Sequence, residues 1–311
     1  MTGVYFIAGL ALLYAGGEVF VRSAAALGKS LHMSPLVIGL TIVAFATSAP
    51  ELAISLIAAI NDLPGLAVGN VIGSNICNLT LILGIVAIIK PAPVRETLLR
   101  RDVLVILLTT LLVPGLLLDE RLGRFEGVLL LLCILSYIVL TIWHARTTRS
   151  KRRPEEHSVP TLTDNISLNV LLGAAGVFLL IAGSRVFVDA SVSIADLIGV
   201  PAAVVGLSAA ALGSSLPELS ASIIAAKHGQ PEMAAGNLIG SNIFNLLMVL
   251  GATSIVRPLA MQSVTRIDLT VMILVTILAL TLMLTRARLH RREGIVLVSV
   301  YLLYMAWLYV P

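Results

Sequence analysis

Two stretches of this 311-residue chain are near-copies of each other at a constant offset of 167 residues, without a gap. GLTIVAFATSAPELAISLIAA from Gly39 is answered by GLSAAALGSSLPELSASIIAA from Gly206, and GNVIGSNICN from Gly69 by GNLIGSNIFN from Gly236. Between Gly39 and Gly84, 24 of 46 positions are identical to their counterparts, so the chain consists of two halves built on one plan. Each copy carries one acid, Glu51 or Glu218, inside a run so apolar that an ionised carboxylate there is costly to bury. An ionisable residue in such a setting is a functional-site hypothesis, and here it arises twice at equivalent positions.

The setting is a membrane. With 58% apolar residues, 12% charged residues and a mean hydropathy of +1.01, the chain lies far from a soluble domain. The apolar runs predict ten spans: Gly3–Leu27, Pro35–Ile60, Gly65–Ile89, Asp102–Leu118, Phe125–Trp143, Leu168–Ala190, Pro201–Ala226, Met233–Val256, Ile267–Thr285 and Glu293–Val310. Each is near the roughly 20 residues a helix needs to cross the hydrocarbon. Several have no polar face, which excludes a soluble bundle, and none alternates by twos as a barrel strand would. The expected fold class is therefore all-α, a polytopic membrane protein of ten transmembrane helices.

Basic residues predict the orientation. If ten spans are right, the loops on one side hold 15 Lys and Arg, including Arg146, Arg149, Lys151, Arg152 and Arg153, while the other side holds Arg121, Arg124, Arg257 and Arg266. The basic side reads as cytoplasmic, with both termini outside. Five spans per half is an odd number, so the second half enters from the opposite face and the repeats are inverted. The expected organisation is a first five-helix repeat over 1–146, a cytoplasmic linker over 147–166 and an inverted second repeat over 167–311. The charge excess follows from this topology and calls for no nucleic acid. Cys77 and Cys133 lack the spacing of a zinc site or a disulfide framework. Glu18 and Arg22, one turn apart, align with Arg185 and Asp189; pairing within each helix is the expected role of all four. The first span lacks the basic start of a cleaved signal.

Local chemistry predicts where the halves do their work. Pro50 cannot donate to the carbonyl of Ala46, nor Pro217 to that of Gly213, so spans two and seven should break beside the glutamates. A break at membrane depth is tolerated where the freed carbonyls face protein, water or a ligand. Around the breaks stand Thr47, Ser48 and Glu51 in one half and Ser214, Ser215 and Glu218 in the other. The following spans add Ser74, Asn75 and Asn78, or Ser241, Asn242 and Asn245. Hydroxyls, amides and carboxylates are the hard oxygen donors that Na+ and Ca2+ prefer, and two carboxylates balance one divalent cation.

The duplicated patterns, ATSAPE from Ala46 and GSSLPE from Gly213, each followed by GNxxGSNxxN, resemble the alpha repeats of the sodium/calcium exchanger superfamily of cation antiporters. The offset alignment extends from about Ala15 to Pro91 and from Ala182 to Pro258. The resemblance implies a central cation site made by Thr47, Ser48, Glu51, Ser74 and Asn78 with Ser214, Ser215, Glu218, Ser241 and Asn245. It also implies backbone carbonyl ligands at Ala44 and Ala211. Two departures stand out: Ala46 replaces a usual Gly, and Asn245 lacks the acid characteristic of the potassium-dependent branch. The linker is too short for the calcium-sensor domains of larger members.

These readings converge on a secondary active antiporter that exchanges Na+ for Ca2+ by alternating access, with a Ca2+/H+ or other cation/H+ exchanger of the same superfamily as the alternative. Ca2+ and Na+ are transported substrates and no cofactor is expected. The expected environment is a prokaryotic-type plasma (inner) membrane, the lipid bilayer being the only partner besides the ions, with no obligate protein partner. Intramembrane acid pairs also serve membrane proteases, but those need carboxyls sharing a proton and a water rather than a crowd of hydroxyls and amides. The expectation is accordingly not an enzyme.

Overall fold

The computed structural model describes residues 2–31, 33–93, 96–148, 162–197, 212–261, 264–285 and 288–309. It is almost entirely helical. We label the helices α1 (Thr2–Ser30), α2 (Pro35–Ile60), α3 (Pro64–Ile89), α4 (Glu96–Leu116) and α5 (Arg124–Thr148). The second half supplies α6 (Ile166–Leu197), α7 (Leu216–Lys227), α8 (Pro231–Val256), α9 (Arg266–Thr285) and α10 (Arg291–Tyr309). Among the described residues, seven helices are long and apolar enough to cross a membrane: α1, α2, α3, α5, α6, α8 and α9. Of the other three, α4 contains Arg100, Arg101 and Asp102, α10 opens on Arg291, Arg292 and Glu293, and α7 has 12 residues. The first part of the seventh predicted span, the middle of the linker and Ala211 lie outside the described residues.

Apolar side chains sort as a membrane bundle requires. Along the middle of α3 and α8, Val68, Ile72, Leu238 and Ile243 are fully buried, while Ile7, Leu132, Leu171, Phe178 and Leu303 project outward from the surrounding helices. Outward Leu, Ile and Phe on this scale have lipid as their natural solvent. Small residues decide the approaches between helices. Along the α1–α6 contact a Cβ at Gly9 would lie 2.6 Å from the backbone nitrogen of Phe187, and one at its repeat counterpart Gly176 would lie 2.7 Å from that of Phe20. Where α2 crosses α8, a Cβ at Gly39 would come 2.3 Å from the carbonyl oxygen of Met233, and one at Gly236 2.6 Å from that of Leu36. Backbone-to-backbone packing of this kind is what small residues permit inside membranes.

Four two-residue strands close the ends of the bundle: β1 (Ala92–Pro93), β2 (Arg121–Leu122), β3 (Leu259–Ala260) and β4 (Arg288–Leu289). The antiparallel pairs are β1 with β4 and β2 with β3, so each strand takes its partner from the other half. Shifting the register Ala92–Leu289 by the repeat offset produces Leu259–Leu122, the register of the second pair. The halves are thus interlocked, and the exchange is reciprocal.

Candidate functional site

The centre is built from two helix breaks. Ser48 interrupts α2 with φ −79° and ψ 1°, and Ser215 precedes α7 with φ −88° and ψ 2°. Both lie outside helical ψ, two residues before a proline whose missing N–H leaves the ladder incomplete. Each break starts a new helical segment and sets its glutamate, Glu51 or Glu218, in the first turn. The partial positive charge of a helix N-terminus favours a carboxylate there. Single π turns in the same region, Gly39–Val43 in α2, Asn78–Ile82 in α3 and Asn245–Val249 in α8, re-aim the side chains next to them. Asn78 and Asn245 each open such a turn. π turns of this length are frequent at functional sites.

Glu51 and Glu218 are 0% exposed, and among the described residues none of their four carboxylate oxygens forms a hydrogen bond of good geometry. The two carboxylates are near enough to interact electrostatically with each other, and each also feels a hydroxyl of the opposite half, Ser214 for Glu51 and Thr47 for Glu218. Around them Ser48, Ser215, Asn75 and Asn245 are equally buried and have side-chain polar atoms without a hydrogen-bond partner. Buried polar groups are nearly always paired, so a concentration of unpaired oxygens is informative. Among the described residues the acids of this centre are the two glutamates, and no group of three or more His, Cys, Asp or Glu that could hold a metal is present. Its donor set is hard oxygen.

The hydroxyls bridge the halves crosswise. Thr47 Oγ1 donates to Asn237 Oδ1 at 3.1 Å and lies 3.4 Å from Ser241 Oγ. Ser214 Oγ donates to Asn70 Oδ1 at 3.4 Å and lies 3.3 Å from Ser74 Oγ. Asn78 Nδ2 donates to Asn242 Oδ1 at 3.4 Å. Thr47, Ser48, Glu51, Ser74 and Asn78 are thereby gathered at one buried centre with Ser214, Ser215, Glu218, Ser241 and Asn245. The carbonyl of Ala44 is buried beside them and accepts the Ser48 N–H at 3.0 Å; Ala211 is not among the described residues. Sequence reasoning missed Asn70 and Asn237, which the structure sets against the glutamates. Their identity at the repeat offset, shared with Ser55 and Ser222, was the available signal.

At the end of α7 away from Glu218, Glu18 pairs with Arg22 as the sequence predicts, and His228 joins them with Nε2 2.9 Å from Glu18 Oε1. Arg185 and Asp189, expected to pair likewise, form no ion pair among the described residues.

Apolar helices around a duplicated, buried acidic centre define a multi-pass membrane protein with internal repeats. A family model described as sodium/calcium exchanger protein matches residues 1–143 and 168–310. CaxA of Alkalimonas amylolytica is 36% identical over 313 residues, covering 98% of each chain. The sodium/calcium exchanger MaX1 of Methanosarcina acetivorans is 32% identical over 97% of this chain and 96% of its own. The solved structure of the sodium–calcium exchanger NCX_Mj superposes with a TM-score of 0.84 at 31% identity, covering 98% of both chains. The chain belongs to the sodium/calcium exchanger family.

Proposed function

We propose that this protein is an antiporter that moves Ca2+ outward against Na+ entering down its gradient. The observation that carries this reading is the pair of fully buried carboxylates, neither forming a hydrogen bond of good geometry among the described residues, in one shell of hydroxyl and amide oxygens from both repeats. Bare carboxylates in that setting are unfavourable, and one Ca2+ or several Na+ would neutralise them. A neutralised core can be occluded, whereas two uncompensated charges resist exposure to lipid, and this difference makes transport an obligate exchange. In this proposal Glu51, Glu218, Thr47, Ser48, Ser74, Asn78, Ser214, Ser215, Ser241 and Asn245 bind the ions, joined by the Ala44 and Ala211 carbonyls. The name of MaX1 and the structures of NCX_Mj soaked in Na+ and Ca2+ support the same ion pair.

The proposed topology is ten spans in two inverted five-helix repeats, 1–146 and 167–311, joined by a cytoplasmic linker, with both termini outside. The reciprocal strand exchange and the two-segment family match support it. The glycine-lined α1–α6 pair is the element we expect to slide past the centre, since backbones that touch directly present few interlocking side chains.

The test is uptake of radiolabelled Ca2+ into proteoliposomes of the purified protein under an outward Na+ gradient, an outward H+ gradient or no gradient. Uptake driven by Na+ alone is the expected result. Uptake driven by H+ alone would assign the chain to cation/H+ exchange with the same glutamates as proton carriers, and uptake under neither gradient would overturn Ca2+ as substrate.

A further inference from the structure

We propose that Asn70 and Asn237 are positioning residues that turn hydroxyls of the opposite repeat into cation acceptors. Each carboxamide is held at both ends. Asn70 Nδ2 donates to the backbone carbonyl of Glu51 at 3.3 Å and to Ser55 Oγ at 3.0 Å. Asn237 Nδ2 repeats this with the carbonyl of Glu218 at 3.5 Å and Ser222 Oγ at 2.9 Å. Two acceptors for the NH2 end fix which way the amide faces, since a flipped carboxamide would set its oxygen against two oxygens. The remaining oxygen therefore points across the repeat boundary, where Asn70 Oδ1 takes the Ser214 proton and Asn237 Oδ1 that of Thr47.

The consequence concerns one proton per hydroxyl. A serine or threonine has a single O–H, and a cation is bound by the lone pairs. With its proton drawn to the asparagine, the hydroxyl offers only lone pairs to the centre. Released, the same proton would turn to the nearest carboxylate, Glu51 for Ser214 and Glu218 for Thr47, and compete there with the cation. The asparagine also grips the backbone of the glutamate it stands behind, so each carboxylate is aligned by its own repeat and each hydroxyl by the other. Such partners behind ligands commonly change metal affinity by about 10–100-fold.

This inference rests on the proposed cation site, and its test separates the two. Ca2+ binding to the purified full-length protein is measured by calorimetry for the wild type, Asn70→Leu, Ser214→Ala, Thr47→Ala and the two double variants, with thermal unfolding in the absence of Ca2+ as a measure of structure. Asn70→Leu is expected to raise the Ca2+ dissociation constant about tenfold or more. It should add much less on top of Ser214→Ala, where only its grip on the Glu51 carbonyl is left to lose, than on top of Thr47→Ala, where its full factor is expected, because coupling follows contact. A merely structural asparagine would lower the unfolding temperature and combine with both alanine variants alike, and that pattern overturns the proposal. If Asn70→Leu does not fold, Asn70→Ser, whose hydroxyl is too short to reach Ser214, takes its place in the same cycle. Wild-type protein that binds no Ca2+ overturns the cation site and this inference together; wild-type binding left unchanged by the asparagine variants overturns the inference alone.

Discussion

The two breaks hold the same residue types, two hydroxyls and a glutamate each, but are tied differently to the α1–α6 pair. At the second break, Ser184 of α6 donates to the carbonyl of Gly213, the one that Pro217 leaves without its helical partner. Ser220 of α7 donates to the Leu13 carbonyl of α1 at 2.7 Å. The mirror positions in the first half are Gly17 and Ala53, which have no hydroxyl; Ala53 is exposed where Ser220 is half-buried. No side-chain donor reaches the freed carbonyl of Ala46 among the described residues. The α1–α6 pair is thus hydrogen-bonded to α7 and its break, while α1 meets α2 mainly near the start of α2, where Gly28 faces Ile38. In the proposed exchange an ion must meet an equivalent centre whichever side it enters from, whereas access from one side at a time requires the surroundings to be asymmetric. The proposed ligands have kept the symmetry and the tethers have lost it.

The largest effects should fall on the symmetric part. Glu51→Gln and Glu218→Gln each keep size and shape while removing half the compensating charge, so Ca2+ uptake into proteoliposomes should fall at least about a hundredfold in both. Size-exclusion profiles should stay unchanged. Preserved uptake in either variant would overturn the site assignment, and unequal losses would break the equivalence of the halves.

Next comes the sliding contact. A side chain at Gly9 or Gly176 would enter the backbone of the facing helix, at 2.6 or 2.7 Å. We expect Gly9→Val and Gly176→Val to slow exchange by about tenfold through interlocking or separating the pair, with smaller effects on Ca2+ binding to the purified protein. Equal losses of affinity and rate would show that the contact shapes the centre rather than its access.

The tethers should matter less. Ser184→Ala and Ser220→Ala each remove one hydrogen bond, worth about 1 kcal/mol, and should shift the balance between the two facing states by about fivefold. The check is thiol labelling at Ala53→Cys from each side of the membrane. If α1–α6 leaves α7 for α2 during transport, labelling there should fall in the Ser184→Ala and Ser220→Ala backgrounds. Labelling unchanged in both backgrounds would show that the tethers do not set the resting state.

Legibility in the sequence followed the range of the interaction. A proline two positions and a glutamate three positions from a break act locally, so the breaks at Ser48 and Ser215 and the acids beside them could be read from single helices. The hydroxyls could be nominated by type, but not their partners, because Thr47 meets Asn237 only once α2 crosses α8, and Ser214 meets Asn70 only once the break before α7 reaches α3. The same holds for the exchanged strands and for His228 against Glu18, contacts between segments more than 100 residues apart. Arg185 and Asp189 show the converse: helical spacing makes a pair available, and the surroundings decide whether it forms.

The smallest effect is the most direct test of ligand symmetry. Thr47 and Ser214 occupy equivalent positions and differ by one methyl group, each donating to an asparagine and facing a serine of the other repeat. If only the hydroxyls act on the ion, Thr47→Ser and Ser214→Thr, singly or exchanged together, should leave the Ca2+ dissociation constant within about twofold of the wild type. The buried methyl of Thr47 still contributes to packing, so Thr47→Ser should lower thermal stability slightly, by about 1 kcal/mol, while binding holds. A large affinity change from either swap, with folding intact, would mean that the two half-sites divide the ion unequally. The equivalence of their backbones would then hide a functional polarity, with one repeat holding the ion and the other releasing it.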